Sequence, residues 1–75
     1  MQISIEFCMQ WNYGPRAASL AVVIEKALDI KPTLIEGGGG IYEIKVDGDL
    51  LFSKHDVGRY PTDDEILDGI RAKFQ

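Results

Sequence analysis

The stretch Ile3-Ser4-Ile5-Glu6-Phe7-Cys8-Met9-Gln10-Trp11-Asn12-Tyr13-Gly14-Pro15-Arg16-Ala17 decides how the rest of the chain is read. In its first half Ile3, Ile5 and Phe7 alternate with Ser4 and Glu6. That is the period of a half-buried strand, built from the β-branched and aromatic residues that strands favour. Residues 2–7 are therefore predicted to form a strand and residues 8–14 a loop. Gly14-Pro15 then opens a helix, because the N–H that proline lacks has no partner in a first helical turn. Between the two elements stands Cys8, the only cysteine of the chain.

Ala17, Leu20, Ala21, Ile24 and Leu28 recur at helical spacing, and Val22 and Val23 widen the stripe, which predicts a helix covered on more than one side. Pro32 ends that pattern and pushes Lys31 towards extended backbone. Residues 33–36 read as a short second strand at a sheet edge, parallel to the first because a helix connects them. Four glycines follow at 37–40. Tyr42, Ile44 and Val46 alternate with Glu43 and Lys45, Asp47-Gly48 is a tight-turn pair, and residues 50–53 return antiparallel. Residues 54–61 read as a polar loop holding the only histidine, His55. Thr62-Asp63-Asp64-Glu65 has the form of a reciprocal helix cap ahead of Ile66, Leu67, Ile70 and Phe74. The order is β-α-β-β-β-α: one domain over residues 1–75, an α/β two-layer sandwich with a four-stranded mixed sheet and two helices.

A chain of 75 residues holds one core and buries only about 60% of the surface it exposes unfolded. A net charge of −4 with scattered Lys and Arg argues against nucleic acid as a partner. The longest nearly apolar run, residues 17–24, is too short to span a bilayer. No basic segment leads into an apolar one at the amino terminus, and the lone cysteine suits a reducing, cytoplasmic compartment. One His and one Cys far apart make no metal site. The glycine run lacks the Gly-Lys-Ser/Thr ending of a phosphate loop, and a turn between strands is the plainer reading of it than a ligand cradle. Arg16 and Arg59 are candidates for anion or partner contacts, with solvated surface charge as the simpler account.

The segment 7–17 resembles the opening of the selenoprotein W-like (Rdx) family. So does Gly38-Gly39-Gly40-Ile41-Tyr42-Glu43-Ile44-Lys45-Val46-Asp47-Gly48, followed by Leu51-Phe52-Ser53-Lys54, and so does Gly58-Arg59-Tyr60-Pro61. The resemblance covers nearly the whole chain in the right order. It implies a thioredoxin-like fold and a small thiol or selenol oxidoreductase linked to glutathione and to protein partners. Cys8 matches the first cysteine of the family's Cys-x-x-Cys motif, and Trp11 stands where the second cysteine or selenocysteine belongs. A dithiol cycle is thereby removed, because Trp11 offers no sulfur to resolve a mixed disulfide.

Two functions follow. In the first, Cys8 is the catalytic residue of a monothiol exchange with glutathione or a client protein thiol, and no cofactor is tightly bound. The thiolate is the reacting form, so the site needs positive potential, for which the helix start and Arg16 are the sources at hand. Met9, Gln10, Trp11, Tyr13 and Arg16 would contact the substrate or partner, with Gly38 and Gly39 admitting a peptide-like ligand to the backbone. In the second, Cys8 is a small buried hydrophobe, and the same edge, with Trp11 and Tyr13, is a non-catalytic docking surface. The first needs an open sulfur and the second does not. The chain is expected to be a monomer or a weak dimer.

Overall fold

A computed structural model describes residues 1–9 and 13–74, apart from the side chains of Tyr13 and Phe74. Strand β1 (Ile3–Cys8) leads to helix α1 (Tyr13–Leu28), strands β2 (Thr33–Gly37), β3 (Tyr42–Val46) and β4 (Asp49–Ser53), a short helix α2 (Lys54–Val57) and helix α3 (Asp63–Phe74). The sheet order is β2-β1-β3-β4. β1 runs parallel to β2 and antiparallel to β3, which is antiparallel to β4. The mixed four-stranded sheet expected from the sequence is therefore present.

Alternation along the strands determines where the core forms. Ile3, Ile5 and Phe7 of β1 and Tyr42, Ile44 and Val46 of β3 are buried. They form one cluster with Ala17, Leu20 and Ile24 of α1 and Ile66, Leu67 and Ile70 of α3. Both long helices thus close the same face of the sheet. Val22 departs from the sequence reading: it is 52% exposed, because α1 is covered on its sheet side alone.

α1 begins at Tyr13, earlier than the Gly14-Pro15 signal, but Pro15 still falls in the first turn, where its missing N–H leaves no bond unmade. The helix stops without a glycine. Asp29 takes a left-handed backbone (φ 57°) and its N–H donates to the Glu25 carbonyl at 2.8 Å. Asp47 and Gly48 both have positive φ (53° and 86°), as a tight hairpin turn requires. The Asp47 side chain also accepts the Gln2 N–H at 2.8 Å, which ties this turn to the start of β1.

Several boundaries differ from expectation, among them the end of β1 and the segment after β4. β1 extends one residue further, so Cys8 belongs to the ladder and not to a loop. Its N–H donates to the Ile41 carbonyl at 2.8 Å. Residues 54–57, read as loop, form α2, which is too short to display a helical period and closes on Gly58 at φ 81°. The cap of α3 forms as read: the Thr62 N–H donates to Glu65 Oε1 at 2.8 Å, and the Glu65 N–H to Thr62 Oγ1 at 3.2 Å. Arg59 is recruited here and not left as a plain surface charge. Its guanidinium grips both Glu65 oxygens, at 2.6 and 3.0 Å. The hydrogen bonds from Arg59, then that from the Thr62 backbone, hold the Glu65 carboxyl down to about 2.

Within the glycine run the four positions differ. A Cβ on Gly37 would lie 2.7 Å from Ile41 Cγ2 and 2.8 Å from Glu6 Oε2, whereas one on Gly38 would meet nothing within 4 Å. Gly39 and Gly40 have positive φ (66° and 73°). Gly37→Ala is expected to cost about 1–3 kcal/mol through overpacking, and Gly38→Ala to stay within about 0.5 kcal/mol of the parent, both read from urea midpoints. A depressed carboxyl contributes stability above its unfolded pKa and loses it as pH falls through the folded one. Glu65 should therefore contribute above about 4.5, and its contribution should disappear between about 4.5 and about 2. In Glu65→Gln that component of the acid unfolding curve should be absent.

Candidate functional site

The carboxyl end of β1 faces Gly37 on one side, in register with Cys8, and Ile41 on the other. By alternation Cys8 falls in phase with Ser4 and Glu6, on the face that the helices leave open. It is nonetheless only 4% exposed and joins the buried cluster. Ile41 and Glu6 both lean over Gly37, beside Cys8, and occupy the space that a side chain there would fill. Gly37 thus serves the close approach of neighbouring side chains. Gly38 and Gly39, expected to admit a ligand, are exposed and open on their outer sides.

Met9, the residue after the thiol, is 60% exposed. Its sulfur lies 3.8 Å from where a Cβ on Gly14 would sit, with Phe7 Cε2 at 3.7 Å, so the first turn of α1 is in ordinary van der Waals contact with the end of β1. Gln10 and Trp11 lie outside the described residues, as does the side chain of Tyr13. Arg16 projects towards the start of α3, where its guanidinium lies over the Tyr60 ring at 3.9 Å from the centroid.

A second feature of this end of the molecule is not legible in the sequence. A cavity of about 420 Å³ opens between the first turns of α1, β3 and the segment entering α3, with Arg16, Ser19, Leu20, Tyr42, Tyr60 and Asp63 in its walls. Tyr60 meets Tyr42 edge-on, with centroids 5.4 Å apart and planes at 83°. Lys54 Nζ stands 5.3 Å from the Tyr60 ring centre. Burial pushes the Tyr42 phenol up to about 12, with Arg16 opposing and Tyr60 and Asp63 reinforcing the shift. These residues come from four separate parts of the chain, and no spacing rule joins them.

Residues 2–72 match the model of the Rdx family. The chain belongs to the Rdx family. Migration and invasion enhancer 1 from Bos taurus and from Mus musculus are each 28% identical to it over 74 residues, covering 95% of this chain and 63% of the relative. The chain thus spans less than two thirds of the length of these relatives. Among solved structures, a selenoprotein W-related protein from Vibrio cholerae superposes with a TM-score of 0.92 at 25% identity, covering 99% of this chain and 96% of the other. A Bordetella parapertussis protein superposes with a TM-score of 0.90 at 25% identity, covering 96% and 95%. The resemblance carried by the segments around Cys8 and Tyr42 is therefore family membership, and the fold is the thioredoxin-like fold of the selenoprotein W-related proteins. No helix among the described residues is long and apolar enough to cross a membrane.

Spectrophotometric titration checks the cavity wall. One of the three tyrosines should ionise only near pH 12, and Tyr42→Phe should delete that late step alone. A phenol with a raised folded pKa adds stability in full below its unfolded value and loses it as pH rises through the folded one. The alkaline loss should therefore run from about 10 to about 12 and shrink in the variant.

Proposed function

We propose that this Rdx domain works as a binding module whose contact edge follows β1, with Cys8 serving as a packed part of the scaffold. The observation that carries the reading is a contrast between neighbours: Cys8 is 4% exposed, and Met9 beside it is 60% exposed. At the edge where the family pattern begins, solvent meets a thioether and not a thiol. Buried cysteines without a nearby activating charge are chemically quiet, whereas an exposed methionine gives an adaptable apolar contact. The contact set proposed is Met9, Gln10, Trp11, Tyr13 and Arg16, with Gly38 and Gly39 beside them, and the partner is a client protein in a cytoplasmic setting.

Thiol exchange is the second reading, favoured by the position of Cys8 at the end of β1, immediately before the family's motif runs into α1. In it the Cys8 thiolate attacks glutathione disulfide. A Cys8–glutathione disulfide forms and one glutathione thiolate leaves, and a further external thiol later displaces Cys8 and restores it. This monothiol cycle needs no tightly bound cofactor and uses glutathione or a client thiol as co-substrate.

Reaction of the folded protein with an aromatic disulfide reagent near neutral pH separates the two. The binding-module reading expects labelling at least about a hundredfold slower than in the unfolded chain, limited by local opening, and no mass adduct after exposure to glutathione disulfide. Prompt stoichiometric labelling and a single glutathione adduct would transfer the function to Cys8. Against a partner recovered with the parent chain, Cys8→Ser should retain affinity while Met9→Asp and Trp11→Ala weaken it by about tenfold or more. Equal affinity in all three would remove this edge from the account.

A further inference from the structure

The cavity between α1 and the start of α3 holds a cation and a carboxylate that do not neutralise each other. Arg16 and Asp63 both line it, yet the ion pairs among the described residues are Arg59–Glu65, Arg71–Asp68 and Lys73–Asp49. The Arg16 guanidinium carbon lies 3.9 Å from the Tyr60 ring centroid, a cation–π contact that consumes no hydrogen-bond donor. Asp63 stands at the first position of α3 and lines the same cavity. Tyr42 lines the same cavity, and its phenol feels the two charges in opposite directions. Leu20 and the aromatic rings supply the apolar remainder of the wall. A volume of about 420 Å³ falls within the range that takes small ligands.

We infer that this cavity binds the zwitterionic end of an amino acid or short peptide, with its carboxylate on Arg16 and its ammonium group on Asp63. A simple anion would be repelled by Asp63 and a simple amine by Arg16. A ligand carrying both charges a few bonds apart satisfies each wall at once. The paired N–H groups of a guanidinium match a carboxylate in geometry as well as charge, and the phenol rims of Tyr42 and Tyr60 provide polar surface beside the ligand backbone. The inference concerns the helix-covered side of the sheet and shares Arg16 with the contact set proposed above, but it holds whether or not Cys8 reacts.

Titration of the isotopically labelled protein by NMR tests it, with glycylglycine, N-acetylglycylglycine and glycylglycinamide as probes at neutral pH. Glycylglycine should bind saturably in the millimolar range or tighter, moving the amide signals of Arg16, Ser19, Tyr42, Tyr60 and Asp63. The acetylated and amidated probes should each bind at least about tenfold more weakly, as expected for loss of a charge-assisted contact. Arg16→Gln should abolish the preference for the free carboxylate and Asp63→Asn the preference for the free amine, each with the dispersed spectrum of a folded chain. Arg16→Lys, which keeps charge but not the fork, should recover part of the carboxylate preference. Equal binding of all three probes, shifts mapping elsewhere, or preferences unchanged in the two variants would overturn the assignment.

Discussion

The structure depends on β1 being bonded along both edges. It joins the parallel half of the sheet to the antiparallel half, with β2 on one side and β3 on the other. Its three inward residues, Ile3, Ile5 and Phe7, are the row on which α1 closes the core. A slip of one residue would turn Ser4 and Glu6 inward, so the burial of that row pins the register of both neighbours. The register in turn sets Gly37 beside Cys8 and allows Ile41 and Glu6 to close over the glycine. Packing at the candidate site is thus a consequence of strand pairing.

That dependence explains why much of the fold could be read from the sequence. Alternation in β1 and β3, the Asp47-Gly48 turn and the Thr62–Glu65 cap are local signals, each set by residues within a few positions of one another. The parallel pairing followed from a helix lying between two strands. The misses were non-local. α2 is a single turn, which no periodicity reports. The exposure of Val22 depends on how many layers cover α1, and a stripe of apolar residues does not count layers. The burial of Cys8 accompanies its pairing with Gly37 and its backbone bond to Ile41, partners some thirty residues away in sequence. The cavity combines Arg16, Tyr42, Tyr60 and Asp63, each of which has an ordinary explanation in isolation.

The lone thiol illustrates how position and environment give separate information. Family membership fixes where Cys8 stands: at the end of β1, ahead of α1. Chemistry asks for more, namely an accessible sulfur and charge that favours its ionised form. With Trp11 in place of a second cysteine, an accessible thiol would also require an outside reductant for every turnover. Trp11 in place of a second cysteine leaves the scaffold intact. The fold by itself therefore does not decide what the site does.

The geometry also concentrates binding capacity at one end of the molecule. In open α/β sheets the crevice lies beyond the carboxyl ends of the parallel strands, where the following helices begin. Here β1 and β2 both finish at that end, α1 begins there, and the segment entering α3 passes across it. Cys8 and Met9 occupy one side of this rim and the Arg16–Tyr42–Tyr60–Asp63 cavity the other. Tyr42, in register with Phe7 on β1, joins the two, because it lies on the strand residue next to Cys8 and forms part of the cavity wall. Any movement that exposed the thiol by lifting the end of β1 would therefore displace the pairing partner of Tyr42 and disturb the cavity as well, so occupation of the cavity should oppose such opening.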